Sequence, residues 1–141
     1  MYLVSLFAFI SAALMGITMA VLHFRGIESG KALGMAHGFL ALSGIALLAV
    51  GLAKVDAGIG WWLLVSFLVV AAGGAYLFYR QVKQEPWPAA VIVAHGGLAI
   101  ATIVGLGLWI AGGITTMDDG SGATPADTIE NEPIPVEELM P

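Results

Sequence analysis

Four stretches of the chain, residues 2–22, 32–53, 60–80 and 89–113, are almost free of charge. Each is about 20 residues or longer, enough for a helix to cross a hydrocarbon core of about 30 Å. A water-soluble fold would need four helices, apolar on every side, to cover one another, with nothing polar left to face solvent. The stretches also lack the alternation of a barrel strand, and in lipid only helices or closed barrels satisfy their own backbone. The sequence therefore predicts an all-α integral membrane protein. Its transmembrane domain covers 1–113, and an extramembrane tail covers 114–141.

Composition agrees. The chain is 59% hydrophobic and 11% charged, against about 25% charged for an ordinary soluble domain. The net charge of −5 comes mostly from the tail, where Asp118, Asp119, Asp127, Glu130, Glu132, Glu137 and Glu138 fall among Pro, Gly and Thr. Such a composition lacks the apolar content to fold alone. There is no basic patch suited to nucleic acid. The first stretch has no Lys or Arg before it and outlasts a signal-peptide core, so it is read as a retained helix.

Loop charges predict the orientation. Arg25 and Lys31 flank the first connection and Arg80 and Lys83 the third, whereas the second has Lys54 alone and the tail has no basic residue. By the positive-inside rule the first and third loops are cytoplasmic. Both termini are then outside, periplasmic if the membrane is a bacterial inner membrane. Tyr2, Trp61, Trp62 and Trp109 would mark the outer interface, and Tyr76, Tyr79 and Trp87 the inner one.

Two spans carry the same short motif: Ala36-His37-Gly38-Phe39-Leu40-Ala41-Leu42 and Ala94-His95-Gly96-Gly97-Leu98-Ala99-Ile100. An ionisable group inside a span is costly, and two at matching depths point to a shared task. A shift of 58 residues lays His37 on His95 and His23-Phe24-Arg25 on Gln81-Val82-Lys83. The chain thus reads as two repeated helical hairpins related by an axis along the membrane normal, as in other parallel repeats. Short loops make sequential helices antiparallel neighbours in an up-down four-helix bundle. The second and fourth helices are then diagonal partners, with His37 and His95 facing each other in the cytoplasmic half.

Two imidazoles at one depth on different helices are what a haem iron needs as axial ligands. The expectation is a single haem b, with His37 and His95 on its iron and Gly38 and Gly96 giving the macrocycle room, helped by Gly97 and Gly34. Gly44 and Gly51 continue the His37 face, and Ala99, Thr102 and Gly105 that of His95. Arg25 and Lys31, with Arg80 and Lys83 on the same side, would meet the propionates. Each histidine should donate its Nδ1–H to an oxygen, a backbone carbonyl or a hydroxyl. The chain has no cysteine, so covalent haem attachment and thiolate sites are excluded. No second histidine pair exists in the outer half, which limits the chain to one haem. His23, beside Arg25, reads as an interfacial polar residue, with contact to a propionate or proton uptake as the other role.

The blander reading uses the same residues. Buried histidines hydrogen-bond between helices, and Gly34-xxx-Gly38 fits close helix packing. On that reading the chain is a haem-free accessory or scaffolding subunit.

The paired His-Gly motifs, over roughly 2–113, resemble the small membrane b-type cytochromes, loosely the cytochrome b561-like four-helix group. The resemblance implies electron transfer at or across the membrane, often with a quinone or a second redox protein. This chain departs from two-haem members by lacking the outer pair. Other classes fit poorly: a proton-coupled exporter needs an embedded carboxylate, and no span has Asp or Glu. No hydrolytic constellation is apparent. Met15, Met19 and Met35 lie toward one side, where methionine also packs well. The chain is expected to be an electron-transfer or accessory subunit of a larger respiratory or photosynthetic complex rather than an independent enzyme. Its expected partners are lipid, neighbouring subunits, and a quinone or a c-type cytochrome, which an acidic outer tail would steer.

Overall fold

The computed structural model describes residues 1–55 and 58–118, with side chains through residue 112. Among these the chain is all-helical: α1 Tyr2–Phe24, α2 Lys31–Leu52, α3 Ile59–Val82 and α4 Ala89–Asp118. All four are long and apolar enough to cross a membrane. Each helix outruns or matches its apolar stretch, because polar residues such as Arg80 and Thr115 end the hydrophobic run without breaking the backbone ladder. The compact unit is Met1–Ile110. The acidic tail lies, from residue 119 onward, outside the described residues, as does Asp56.

Local chemistry ends the helices. After α1 the chain turns through Gly26 at φ +70°, with the Gly26 N–H on the His23 carbonyl and the Ile27 N–H on that of Leu22. This is the Schellman cap, which needs a left-handed residue and so favours glycine. After α3 the same pair of bonds forms, Gln84 to Gln81 and Glu85 to Arg80, yet the left-handed residue is Gln84 at φ +58°. Arg80 braces that turn: its Nε is 2.9 Å from Glu85 Oε2, and its guanidinium donates to Pro86 O and Tyr76 Oη.

Contacts between neighbours run in opposite order along the two helices, so α1 and α2 are antiparallel. Gly16 meets His37, Phe9 meets Gly44, and Tyr2 meets Gly51. In the other hairpin Gly74 meets His95 and Leu63 meets Gly105, again antiparallel. Gly44 and Gly51 let α1 come close, because a Cβ would lie 2.9 Å from the Phe9 ring or 2.7 Å from that of Tyr2. Ser5, fully buried, donates to Gly44 O, and Tyr2 Oη donates to Gly51 O.

The bundle has two unlike halves. Toward the α2–α3 connection it is solid: Phe9, Leu48, Leu52, Leu64, Phe67 and Leu106 form one buried cluster. Toward the connections at 25–30 and 83–88 the interior opens into a cavity. Large apolar side chains cover the outside, with Phe7, Phe39 and Trp62 each more than 70% exposed, a surface compatible with lipid contact.

Candidate cofactor-binding site

His37 projects from α2 and His95 from α4, and each is held by the helix before it. The Nδ1 of His37 is 2.8 Å from the Ala12 carbonyl oxygen of α1. The Nδ1 of His95 is 3.0 Å from the Val70 carbonyl oxygen of α3. Those carbonyls already belong to helix ladders, so each imidazole uses the second lone pair. The residue one turn on in both helices is glycine, Gly16 and Gly74, which leaves the carbonyl uncovered. A Cβ at Gly16 would be 3.1 Å from His37 Cε1, and one at Gly74 would be 3.0 Å from His95 Cε1.

A carbonyl oxygen only accepts, so the proton of a neutral imidazole here is on Nδ1. The Nε2 of each ring then has its lone pair available. The two ring centres are 6.2 Å apart, with planes at 71°. Two imidazoles on opposite sides of one metal, each bound through a nitrogen about 2 Å away, have centres about 6 Å apart. The observed 6.2 Å is close to that separation.

Both rings line a cavity of about 540 Å³, within the usual range for ligand sites of roughly 300–1,000 Å³. Its inner end is the stacked pair Phe9 and Phe67, and Gln81 and Trp87 lie at the loop end. Beside the histidines the walls are small: Ala12, Ala13 and Gly16 on α1, and Ala71, Gly74 and Ala75 on α3. Gly38 and Gly96 also line it. Among the described residues no group of three or more His, Cys, Asp or Glu side chains could hold a metal ion. Two imidazoles are fewer than the roughly four ligands a protein-bound ion takes. They suffice where a planar group supplies the remaining ligands.

The other expected residues are distributed around this centre. Arg25 and Lys31 are exposed at the loop end and are not among the cavity-lining residues. Arg80 is engaged by Glu85 and its own turn, and Lys83 Nζ sits 5.8 Å from the Tyr79 ring centre. Gly97 is exposed, while Gly44 and Gly51 serve α1 packing rather than the cavity. His23 is half-buried and stacks on Trp87, with centroids 5.2 Å and planes 25° apart. Across the mouth Gln81 Nε2 donates to the Ser29 carbonyl at 2.8 Å.

Sequence reasoning missed the four residues that seat the rings: Ala12, Gly16, Val70 and Gly74. The signal was present, because the 58-residue shift that relates the histidines also carries Ala12 to Val70 and Gly16 to Gly74. No family model, characterised protein or solved structure matches the chain.

Proposed function

We propose that this chain is a membrane electron-transfer protein that binds one haem b between His37 and His95. The observation that carries the reading is the pair of imidazoles, each fixed through Nδ1 to a carbonyl and each left with its Nε2 lone pair, with ring centres 6.2 Å apart on one apolar cavity. When bound, haem supplies a one-electron couple at its iron. The chain's own contribution is orientation and environment. The carbonyls of Ala12 and Val70 hold the rings and fix their tautomer. The small apolar walls admit a flat group and exclude water. Arg25 and Lys31 stand at the loop end, where anionic propionates would emerge toward the membrane surface.

The repeat is part of the same proposal. His37 meets His95 and Phe9 meets Phe67, each at the other's position shifted by 58 residues. The mouth pairs His23 with Trp87 and Gln81 with Ser29, which the same shift exchanges. Two hairpins about a pseudo-twofold axis account for all four relationships. The setting is a bacterial inner membrane with four spans, cytoplasmic loops at 25–30 and 83–88, and both termini periplasmic. Among the described residues the connections between helices are short, and the one cavity described is lined by both histidines. We therefore read it as a subunit of a respiratory or photosynthetic complex, exchanging electrons with neighbouring subunits, a quinone or a c-type cytochrome.

A haem-free accessory subunit is the second reading. It draws on Gly97 and Gly107 of α4, where nothing lies within 4 Å of a would-be Cβ and another helix has room to approach. The test is the absorption spectrum of protein purified from haem-replete membranes in mild detergent. Reduced-minus-oxidised bands of a low-spin b-type haem, at one haem per chain, are expected. A colourless, fully helical protein supports the accessory subunit instead.

A further inference from the structure

The two imidazole planes are set from opposite sides of the bundle, His37 by α1 and His95 by α3. Each ring is pinned twice: its Nδ1 holds a carbonyl, and its Cε1 rests against a glycine one turn further along the same helix. The would-be Cβ contacts, 3.1 Å at Gly16 and 3.0 Å at Gly74, are tighter than real Cβ atoms ordinarily make. A methyl group at either position would have to push the ring, and the ring cannot yield without straining its bond to the carbonyl. Gly73 does not share this role, since its Cβ would meet His95 Nδ1 at an ordinary 3.4 Å. In a helix interior glycine is less favourable than alanine, so its presence at both equivalent positions calls for a reason. Close approach of the imidazole supplies one.

We propose that Gly16 and Gly74 are positioning residues that hold the two axial imidazoles near-perpendicular, each acting on the histidine of its own hairpin. The proposal rests on the haem reading and adds a specific electronic consequence to it. In a low-spin ferric centre, parallel imidazole planes split the two iron dπ orbitals that interact with them. Perpendicular planes leave those orbitals nearly degenerate. The ferric paramagnetic resonance signal reports that splitting, its largest g value rising and the signal becoming more anisotropic as the planes approach 90°. At 71° the chain belongs toward the perpendicular end.

The experiment is low-temperature electron paramagnetic resonance of the oxidised, haem-loaded wild type and of Gly16→Ala, Gly74→Ala and Gly107→Ala. Helix content and haem-to-protein ratio are measured on each sample. Gly107 is the control, because it faces open space and does not line the cavity. The expected result is a strongly anisotropic, high-g signal in the wild type and Gly107→Ala. Gly16→Ala and Gly74→Ala should each show a displaced largest g value, or lose haem while keeping their helix content. A well-resolved rhombic signal of parallel planes in the wild type overturns the proposal, even if neither alanine variant folds. Identical g values in all four proteins overturn it as well. A colourless wild type fails earlier, overturning the haem reading and this proposal with it.

Discussion

Phe9 of α1 and Phe67 of α3 stack face to face, with ring centroids 3.8 Å and planes 3° apart. They join the two diagonal helices at the level where the cavity ends and the solid half begins. Gly44 makes the stack possible from one side, since any Cβ there would lie 2.9–3.1 Å from the Phe9 ring. Replacing Phe9 or Phe67 with Ala should lower stability by about 1–3 kcal/mol. That is less than the roughly 3–5 kcal/mol of a water-soluble core, because the transfer out of water is missing in lipid. Phe39→Ala, at a side chain 73% exposed, should change stability by under about 0.5 kcal/mol. Denaturant or thermal unfolding in detergent separates the two, and equal losses would mean the stack has no special weight.

Gln84 offers a gain. It occupies the left-handed position that Gly26 fills at the end of α1, and a side chain there costs roughly 1 kcal/mol relative to glycine. Gln84→Gly should therefore raise stability by about 0.5–1 kcal/mol, and Gly26→Gln should lower it by a similar amount. Unfolding midpoints of the two variants test this, and a loss in Gln84→Gly would show that its side chain has a role beyond the turn.

What the sequence could reveal depended on where the information lies. Four helices were legible because each is a long uninterrupted apolar run, and the histidine pair because its flanking residues repeat. The seats of the histidines were not, since their acceptors are backbone carbonyls of Ala12 and Val70, which carry no side-chain signature. Glycine was ambiguous for a related reason. Gly38 and Gly44 look alike in a sequence, yet one lines the cavity and the other receives Phe9. Charge counting also could not show that Arg80 is held by Glu85, because that pairing depends on the turn between them. The end of α4 at Asp118 lay beyond the apolar run, where hydropathy no longer tracks the helix.

The loop charges lead to a topological prediction. The chain has no cysteine, so single replacements report cleanly. In intact spheroplasts Lys54→Cys should react with a membrane-impermeant maleimide, and Lys83→Cys should react only after the membrane is permeabilised. Both positions are exposed, so burial does not confuse the comparison. The reverse pattern would invert the orientation and leave the bundle unchanged.

The sharpest prediction separates the three histidines. His37 and His95 share one environment: Nδ1 on a carbonyl, Cε1 on a glycine, and a place on the cavity wall. His23 shares none of these and instead lies against Trp87 and Phe24. His37→Ala and His95→Ala should each abolish the low-spin spectrum or the bound haem altogether, because a single imidazole cannot complete six-coordinate ligation. Each replacement also frees a carbonyl that keeps its helix-ladder bond, so no buried acceptor is orphaned and helix content should persist. His23→Ala should leave the spectrum nearly unchanged, since it removes only an aromatic contact at the cavity mouth. Absorption spectra of the three variants, normalised to protein and compared with their circular dichroism, decide the matter. A normal low-spin spectrum in both His37→Ala and His95→Ala would remove the pair from the iron, whatever else the cavity holds.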